Sequence, residues 1–154
     1  MSGWSGGCQC GAVRFHAAAL GRASVCHCRM CQKAFGGFYG PYVDAEEFAW
    51  TRGAPKYFQS SNLIKRGFCG ECGTQLSFES PEHTINVAIG AFDHPEMIVP
   101  ALQVGTESML PYVNRLEHIP QRTAEQAARV AKFYVGMVSY HHPDHDTEVW
   151  PPKA

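Results

Sequence analysis

Seven cysteines in three tight clusters constrain the fold of this 154-residue chain more than any other feature. The clusters are GCQCG with Cys8 and Cys10, CHCRMCQK with Cys26, Cys28 and Cys31, and FCGECG with Cys69 and Cys72. The N-terminal stretch MSGWSGGCQC has neither a basic start nor an apolar run, so we expect no secretory signal and a cytoplasmic protein. In a reducing compartment, clustered cysteines indicate metal binding or catalysis more than disulfides or buried structural thiols.

The two cysteine pairs are predicted to form one closed zinc site. Cys69 and Cys72 are separated by two residues, which is the spacing of a tight turn that aims both sulfurs at one point. Cys8 and Cys10 would share a face if their segment were an extended strand. Zinc takes four ligands in a tetrahedron, so we expect these four thiolates to hold a structural ion that joins the N-terminus to the middle of the chain.

The remaining cluster, Cys26, Cys28 and Cys31, offers three ligands, which is typical of a zinc site with one open position. His27 is the candidate for a fourth ligand. However, its side chain lies between two ligands that point the same way, so on an extended segment it faces elsewhere. A packed or hydrogen-bonded histidine is the alternative that we prefer. The cluster is therefore predicted to hold a second zinc with a free coordination position.

The charge of such a site indicates what could fill the free position. Three thiolates on Zn²⁺ give a net charge of −1, and soft donors suit another sulfur better than a hydrolytic water. A fourth thiolate would add negative charge, so nearby cations would help. Arg29 and Lys33 are adjacent to the cluster, and Arg66 precedes the second pair. We expect these three to bind an anionic thiol, the alternative being solvated surface charge.

The rest of the sequence predicts one mainly β domain with a C-terminal helix. Fifteen glycines and ten prolines indicate many turns, and AVRFHA, TQLSFES and TINVAIGAF are predicted strands. From Thr123, TAEQAARVAKFYVGMV has helical periodicity, with capping-box spacing between Thr123 and Gln126. We divide the domain into a zinc-binding β part, 1–121, and a helix with a polar tail, 122–154, packed on the same domain. The apolar face of this helix comprises Ala127, Val130, Ala131, Tyr134 and Val138.

This apolar face is expected to cover a sheet or a partner subunit, so a homo-oligomer is one expectation. The tail SYHHPDHDTEVWPPKA is expected to be loosely structured, and metal binding by its histidines is a weaker alternative. The net charge is −1 with no basic block, so nucleic acid is not an expected partner. No apolar run approaches the roughly 18 residues of a membrane span, so no membrane partner is expected either.

The motifs GCQCGAVRF, CHCRMCQKAFGGF, SSNLIKRGFCGECGTQL and VAIGAFDHP, in this order, resemble the glutathione-dependent formaldehyde-activating enzyme family, which includes the centromere protein V domain. The resemblance covers about Gly7 to Pro100. It implies several small coiled antiparallel sheets in an Mss4-like fold organised around zinc. It also implies a structural four-cysteine site and an active site at the triple cysteine.

The activity implied by the resemblance joins glutathione and formaldehyde into S-hydroxymethylglutathione, as in carbon–sulfur lyases. The expected partners are therefore a small-molecule thiol and an aldehyde. By resemblance and side-chain type, His27, Asp93 and His94 are candidates for the proton transfer, although Asp93 in FDHP also fits a turn. The alternative function is a non-catalytic zinc module that binds a thiol or senses metal or oxidation.

Overall fold

A computed structural model describes residues 3–82 and 85–151 as a mainly β protein, which confirms the predicted fold class. In this part of the chain, strands β1 to β10 are Trp4–Gly7, Arg14–Ala17, Ala19–Cys26, Gly40–Glu46, Ala49–Arg52, Lys56–Gln59, Lys65–Phe68, Gln75–Glu79, Asn86–Ala88 and Leu102–Val104. The α-helices are α1, Arg29–Phe35, and α2, Ala124–Phe133. Short 3-10 helices span Ile89–Ala91, Pro95–Met97, Thr106–Ser108 and Val113–His118.

The strands form two sheets. The smaller sheet is antiparallel with the order β1-β2-β5, and the larger has the order β10-β3-β4-β9-β8-β7-β6. Within the described residues, β10 runs parallel to β3, whereas the other neighbouring strands of the larger sheet pair antiparallel. Its register places Val104 opposite Cys26. The edge strand β10 therefore ends beside the triple-cysteine segment.

The core is built around Phe15 of β2, which is fully buried. Its ring lies 5.0 Å from that of Phe92 and 5.5 Å from that of Phe48, between ring centroids. Leu76 of β8 and Val87 of β9 are also fully buried. The alternation in AVRFHA predicts this strand, because apolar residues on one face of a strand pack inwards.

Helix α2 begins where the sequence predicts. The hydroxyl of Thr123 accepts a hydrogen bond from the Gln126 backbone, and the Gln126 side chain accepts one from the Thr123 N–H, which completes the capping box. The expectation that its apolar face covers a sheet of this chain is wrong, since within the described residues only Val130 of that face is even half-buried. Amphipathic periodicity predicts a helix but not the surface that it meets. The partner-subunit alternative stays a prediction.

The tail, defined here as residues 139–151, is docked rather than loose. Its His142 N–H donates to the Gln9 carbonyl over 2.7 Å, and the Trp150 indole donates to the Cys10 carbonyl over 2.6 Å. His142 is only 3% exposed. The polar composition predicts loose structure, but these groups form hydrogen bonds to the loop that carries the first cysteine pair. Among the described residues no helix is both long and apolar enough to cross a membrane.

Candidate functional site

The first cysteine pair lies in a turn after β1, so the prediction of an extended strand at this point is wrong. The Gly11 N–H donates to the Cys8 carbonyl over 2.9 Å, which closes the turn, and Gly11 has a positive φ of 77°. The Val13 N–H points at the Cys8 sulfur from 3.3 Å. The turn, and not an extended strand, brings the two sulfurs to 3.6 Å from each other.

The second pair forms the expected knuckle directly after β7. The Gly73 N–H donates to the Cys69 carbonyl over 2.9 Å, and Gly73 has a φ of 79°, a conformation that glycine adopts without strain. The Glu71 N–H lies 3.4 Å from the Cys69 sulfur. Burial raises the pKa of Cys69 above its ordinary value, and the backbone N–H groups aimed at its sulfur oppose this rise.

The four sulfurs of Cys8, Cys10, Cys69 and Cys72 all lie within 4.8 Å of one another and could hold a metal ion. Sulfurs at 2.3 Å from a tetrahedral zinc would be separated by about 3.8 Å. The observed separations from the Cys10 sulfur are 3.6 Å to Cys8 and 3.9 Å to Cys69. The donor set and its spacing therefore fit zinc.

One ligand of this four-sulfur group is favoured as a thiolate even without metal. Burial raises the pKa of Cys72, but hydrogen bonds from the side chain and backbone of Thr74 and from Cys10 outweigh burial and lower the pKa to about 6. For Cys10, burial dominates and raises the pKa above its ordinary value. A cation would thus meet one ready thiolate and would have to displace protons from other thiols of the group.

The triple cysteine spans the end of β3 and the first turn of α1. Cys26 is the last residue of β3, Cys28 is the N-cap of α1, and Cys31 lies in the helix. The Cys31 N–H donates to the Cys28 sulfur over 3.4 Å. This sulfur therefore caps the helix and is also a candidate metal ligand. The three sulfurs lie within 4.8 Å of one another and could also hold a metal ion.

Arg66 contacts this cluster directly. Its Nη2 lies 3.5 Å from the Cys31 sulfur, Nη1 donates to the Tyr42 hydroxyl over 2.8 Å, and Nε donates to the Ser60 hydroxyl over 3.1 Å. Arg66 is only 3% exposed, and among the described residues no carboxylate forms an ion pair with it. Burying a guanidinium without a counter-charge is costly, so an anion is required beside it.

The thiols of the cluster can supply this anion if a cation deprotonates them. Burial raises the pKa of Cys31 to about 12, although Arg66 opposes this rise. Burial also raises the pKa of Cys28, but hydrogen bonds from Cys31 and Cys26 outweigh it, so that this pKa lies below its ordinary value. A metal ion would convert the coordinating thiols to thiolates, and Arg66 would then have its counter-charge.

A groove of about 370 Å³ lies next to this cluster. Arg66 lines the groove and also contacts the Cys31 sulfur, so it connects the groove to the cluster. The groove brings together all three cations that the sequence analysis singled out. Its lining residues are Arg29, Met30, Lys33, Ala34, Phe58, Ser60 and Arg66.

The structure places the predicted proton-transfer residues outside the groove. His27 is 1% exposed, its Nε2 lies 2.8 Å from the Gln103 side-chain oxygen, and its ring packs on Tyr39. Its ring nitrogens do not join the cysteine sulfurs as a fourth ligand. These contacts favour a role in tying the triple-cysteine segment to β10, and its catalytic role stays a prediction.

Asp93 is buried in an ion pair, and both of its carboxylate oxygens accept hydrogen bonds. Arg14 donates to both of its carboxylate oxygens over 2.7 Å, and the Ser5 hydroxyl donates to one of them over 2.7 Å. Asp93 lines a small cavity with Cys8 of the other cysteine group. His94 is exposed beside Glu96. These contacts support a structural role for Asp93, and its catalytic assignment remains an untested prediction.

The two cysteine groups lie in a region that matches a known protein family. A sequence model described as glutathione-dependent formaldehyde-activating enzyme matches residues 3–108. The chain belongs to this family. The match contains all seven cysteines, Arg66 and the groove, whereas α2 and the tail lie beyond it.

A solved structure shows that the fold is shared. A crystal structure of a Rhodobacter sphaeroides protein superposes with a TM-score of 0.53 at 20% sequence identity. The similarity covers 65% of this chain and 99% of that one. The fold of this protein thus matches almost all of the R. sphaeroides chain. Part of this protein extends beyond the region that matches.

Several groups that support the two cysteine clusters were not predicted from the sequence. Tyr42 and Gln103 are ordinary strand residues in the sequence, yet they hold Arg66 and His27. Gln32 donates to the carbonyls of His27 and Ser108, which joins the segment before α1 to the 3-10 helix Thr106–Ser108. No local pattern marks such residues, because their partners are distant in sequence.

The docked tail adds a charge to the buried Arg14. Asp146 lies 2.7 Å from Arg14 Nη2 and 2.9 Å from its Nε. We expect Asp146→Asn to lower the free energy of unfolding by about 0.5–1 kcal/mol, because a half-exposed ion pair contributes modestly. Asp144→Asn, which changes an exposed tail residue that pairs with His141, is the matched control. Urea denaturation measures both, and equal losses would contradict the role assigned to Asp146.

Proposed function

We propose that this protein is a zinc-dependent carbon–sulfur lyase-type enzyme that forms or breaks the bond between a glutathione-type thiol and a small aldehyde such as formaldehyde. Family membership supports the thiol and the aldehyde. The observation that carries the proposal is the buried Arg66, which faces the Cys31 sulfur on one side and the groove on the other. Arg66 thus contacts the sulfur cluster, which a bound metal ion would make anionic, and also lines the groove.

The two cysteine groups would have different tasks. Cys8, Cys10, Cys69 and Cys72 fill a tetrahedron and would hold a structural zinc. Cys26, Cys28 and Cys31 leave one position for a fourth donor. A zinc ion bound there would supply a soft site at which the substrate sulfur is held as a thiolate near neutral pH.

The residues around the groove would bind and orient the thiol. Arg66 offsets the negative charge that accumulates on the sulfurs. Arg29 and Lys33 are exposed at the groove, and none of the groove's lining residues is acidic. Their cationic groups would pair with the carboxylates of a glutathione-type molecule. The gain in rate would come from approach and orientation.

The reaction balances without a redox partner. The thiolate sulfur attacks the carbonyl carbon, a carbon–sulfur bond forms, and the carbonyl π electrons move to oxygen. The oxygen then takes a proton from water in the open groove, and the proton that the thiol released on ionising restores that water, which gives the hemithioacetal. In reverse, the hydroxyl loses its proton to water, the carbonyl reforms and the sulfur leaves as thiolate. Arg66 would stabilise the sulfur anion in both directions.

The alternative is a non-catalytic zinc module that binds a thiol or senses metal or oxidation. Such a module needs only a shallow, exposed thiolate site. A concave groove of about 370 Å³ with converging cations favours a substrate-binding role instead. We therefore propose the enzyme first.

Replacing Cys28 by serine tests the proposal. Serine is a good N-cap, so α1 should keep its cap while the sulfur ligand is lost. We expect elemental analysis to give two zinc ions in the parent and about one in the variant, in line with the two cysteine groups. Calorimetric titration should show glutathione binding in the parent and its loss in Cys28→Ser.

Cys26→Ser provides a second variant with the same expected result, and the retained structural zinc provides the internal control for folding. Glutathione binding that survives in both variants with only one zinc would contradict the triple cysteine as the anchor of the thiol. One zinc per chain in the parent would favour the module without an open metal position.

A further inference from the structure

The walls of the groove are more apolar than a one-carbon aldehyde or a peptide-like thiol requires. Phe58 of β6 is 63% exposed and Met30 of α1 is 54% exposed, and both line the groove together with Ala34. The Ser60 hydroxyl donates a weak hydrogen bond to the Met30 sulfur over 3.9 Å, so α1 and the segment after β6 are in contact at the groove. Large apolar side chains left exposed beside a candidate site indicate a ligand that covers them.

The groove combines cationic and apolar side chains. Arg66 of β7 contacts Cys31, whereas Arg29 and Lys33 lie on α1 beside the apolar Met30 and Ala34. The three cations are matched by no acidic lining residue. A ligand that satisfies this pattern carries anionic groups for the cations and an apolar group for Phe58 and Met30. Formaldehyde supplies only a hydroxymethyl group, which has no apolar surface to bury there.

We propose that this groove binds the aldehyde-derived part of the adduct, and that this part is a hydrocarbon chain or ring. The inference rests on the proposed function and narrows its substrate to thiol adducts of apolar aldehydes. The reaction is the same balanced addition. The sulfur bonds to the carbonyl carbon, the oxygen is protonated, and the hydrocarbon substituent lies along Phe58 and Met30.

Three probes separate the thiol from its substituent: glutathione, S-methylglutathione and S-hexylglutathione, each titrated into the zinc-loaded protein. Burial of apolar surface strengthens binding, so partial burial of the five additional methylene groups of a hexyl chain should tighten binding at least about tenfold over methyl. Phe58→Ser should reduce this preference to about threefold or less. Phe58 lies on the edge strand β6, where substitution should be tolerated by the fold.

Phe133→Ser is the matched control, because Phe133 is an exposed phenylalanine on α2, outside the groove. It should leave the preference for the hexyl probe unchanged. Equal binding of the methyl and hexyl probes in the parent, with glutathione bound, would overturn this inference and leave the proposed function intact. Failure of all three probes to bind would overturn the proposed function and this inference with it. An equal loss in Phe58→Ser and Phe133→Ser would also overturn the assignment of the groove.

Discussion

Cys69→Ser is expected to destabilise the protein by at least about 5 kcal/mol, because it removes one ligand of the four-cysteine group. Structural zinc contributes roughly 10–16 kcal/mol of apparent binding free energy in small zinc-dependent peptides. Domains are stable by only about 5–15 kcal/mol, so even part of this loss would unfold most chains. Cys69 is 1% exposed and joins the loop after β7 to the turn after β1.

Urea denaturation with zinc analysis measures this effect, and Cys72→His is the matched control. Histidine keeps four ligands in a Cys₃His set, which zinc accepts, so this variant should retain its metal and most of its stability. Chelation of the parent should destabilise it in the same direction as Cys69→Ser. A Cys69→Ser protein that keeps the parental stability would show that the four-cysteine group is not structural.

The contrast between Cys69→Ser and Cys28→Ser tests the division of labour between the two groups. Cys69 links segments that are 59 residues apart in sequence, through its sulfur contact with Cys10. Cys28, Cys26 and Cys31 lie within one short segment, where the strand β3 and the capped helix α1 already hold the backbone. Loss of the second metal should therefore cost thiol binding more than folding.

The spacing of the cysteines could be used to predict which sulfurs meet, because local geometry and the coordination number of zinc restrict the combinations. The sulfurs that cluster in the structure are the predicted four-cysteine group and the predicted triple cysteine. The capping box at Thr123 was predictable for a similar reason, since all of its contacts lie within four residues. Local rules of this kind depend on few partners.

Contacts between distant residues could not be predicted in this way. The Arg14–Asp93 pair joins residues 79 apart, and Trp150 reaches Cys10 across 140. In the sequence Asp93 resembles a turn residue or an acid, and the tail resembles a loose polar segment. Only the assembled sheets show that β2 carries a buried arginine that needs a carboxylate. The apolar groove wall was missed because Phe58 and Met30 come from separate elements.

Asp93→Ala is expected to lower the free energy of unfolding by about 3–5 kcal/mol, because it leaves the buried Arg14 without its bidentate partner. Arg14 is 3% exposed and Asp93 is 7% exposed. Asp146 would compensate only in part, since its side chain is mostly in solvent. The loss should greatly exceed that of Asp146→Asn in the same urea experiment.

Two further measurements separate an ion pair from simple packing at Asp93. Burial opposes ionisation of Asp93, but hydrogen bonds from Arg14 and Ser5 outweigh burial and hold its pKa below the ordinary value. A depressed carboxyl pKa stabilises the fold at pH values above the unfolded-state pKa of about 3.9, and this stabilisation is lost as the pH falls through the folded-state value. The parent should therefore lose stability below about pH 4 more steeply than Asp93→Ala. The double variant Arg14→Met/Asp93→Leu should recover much of the unfolding free energy that Asp93→Ala loses, because it removes both charges together. Parallel pH profiles with no recovery in the double variant would contradict the ion pair and reopen a catalytic role for Asp93.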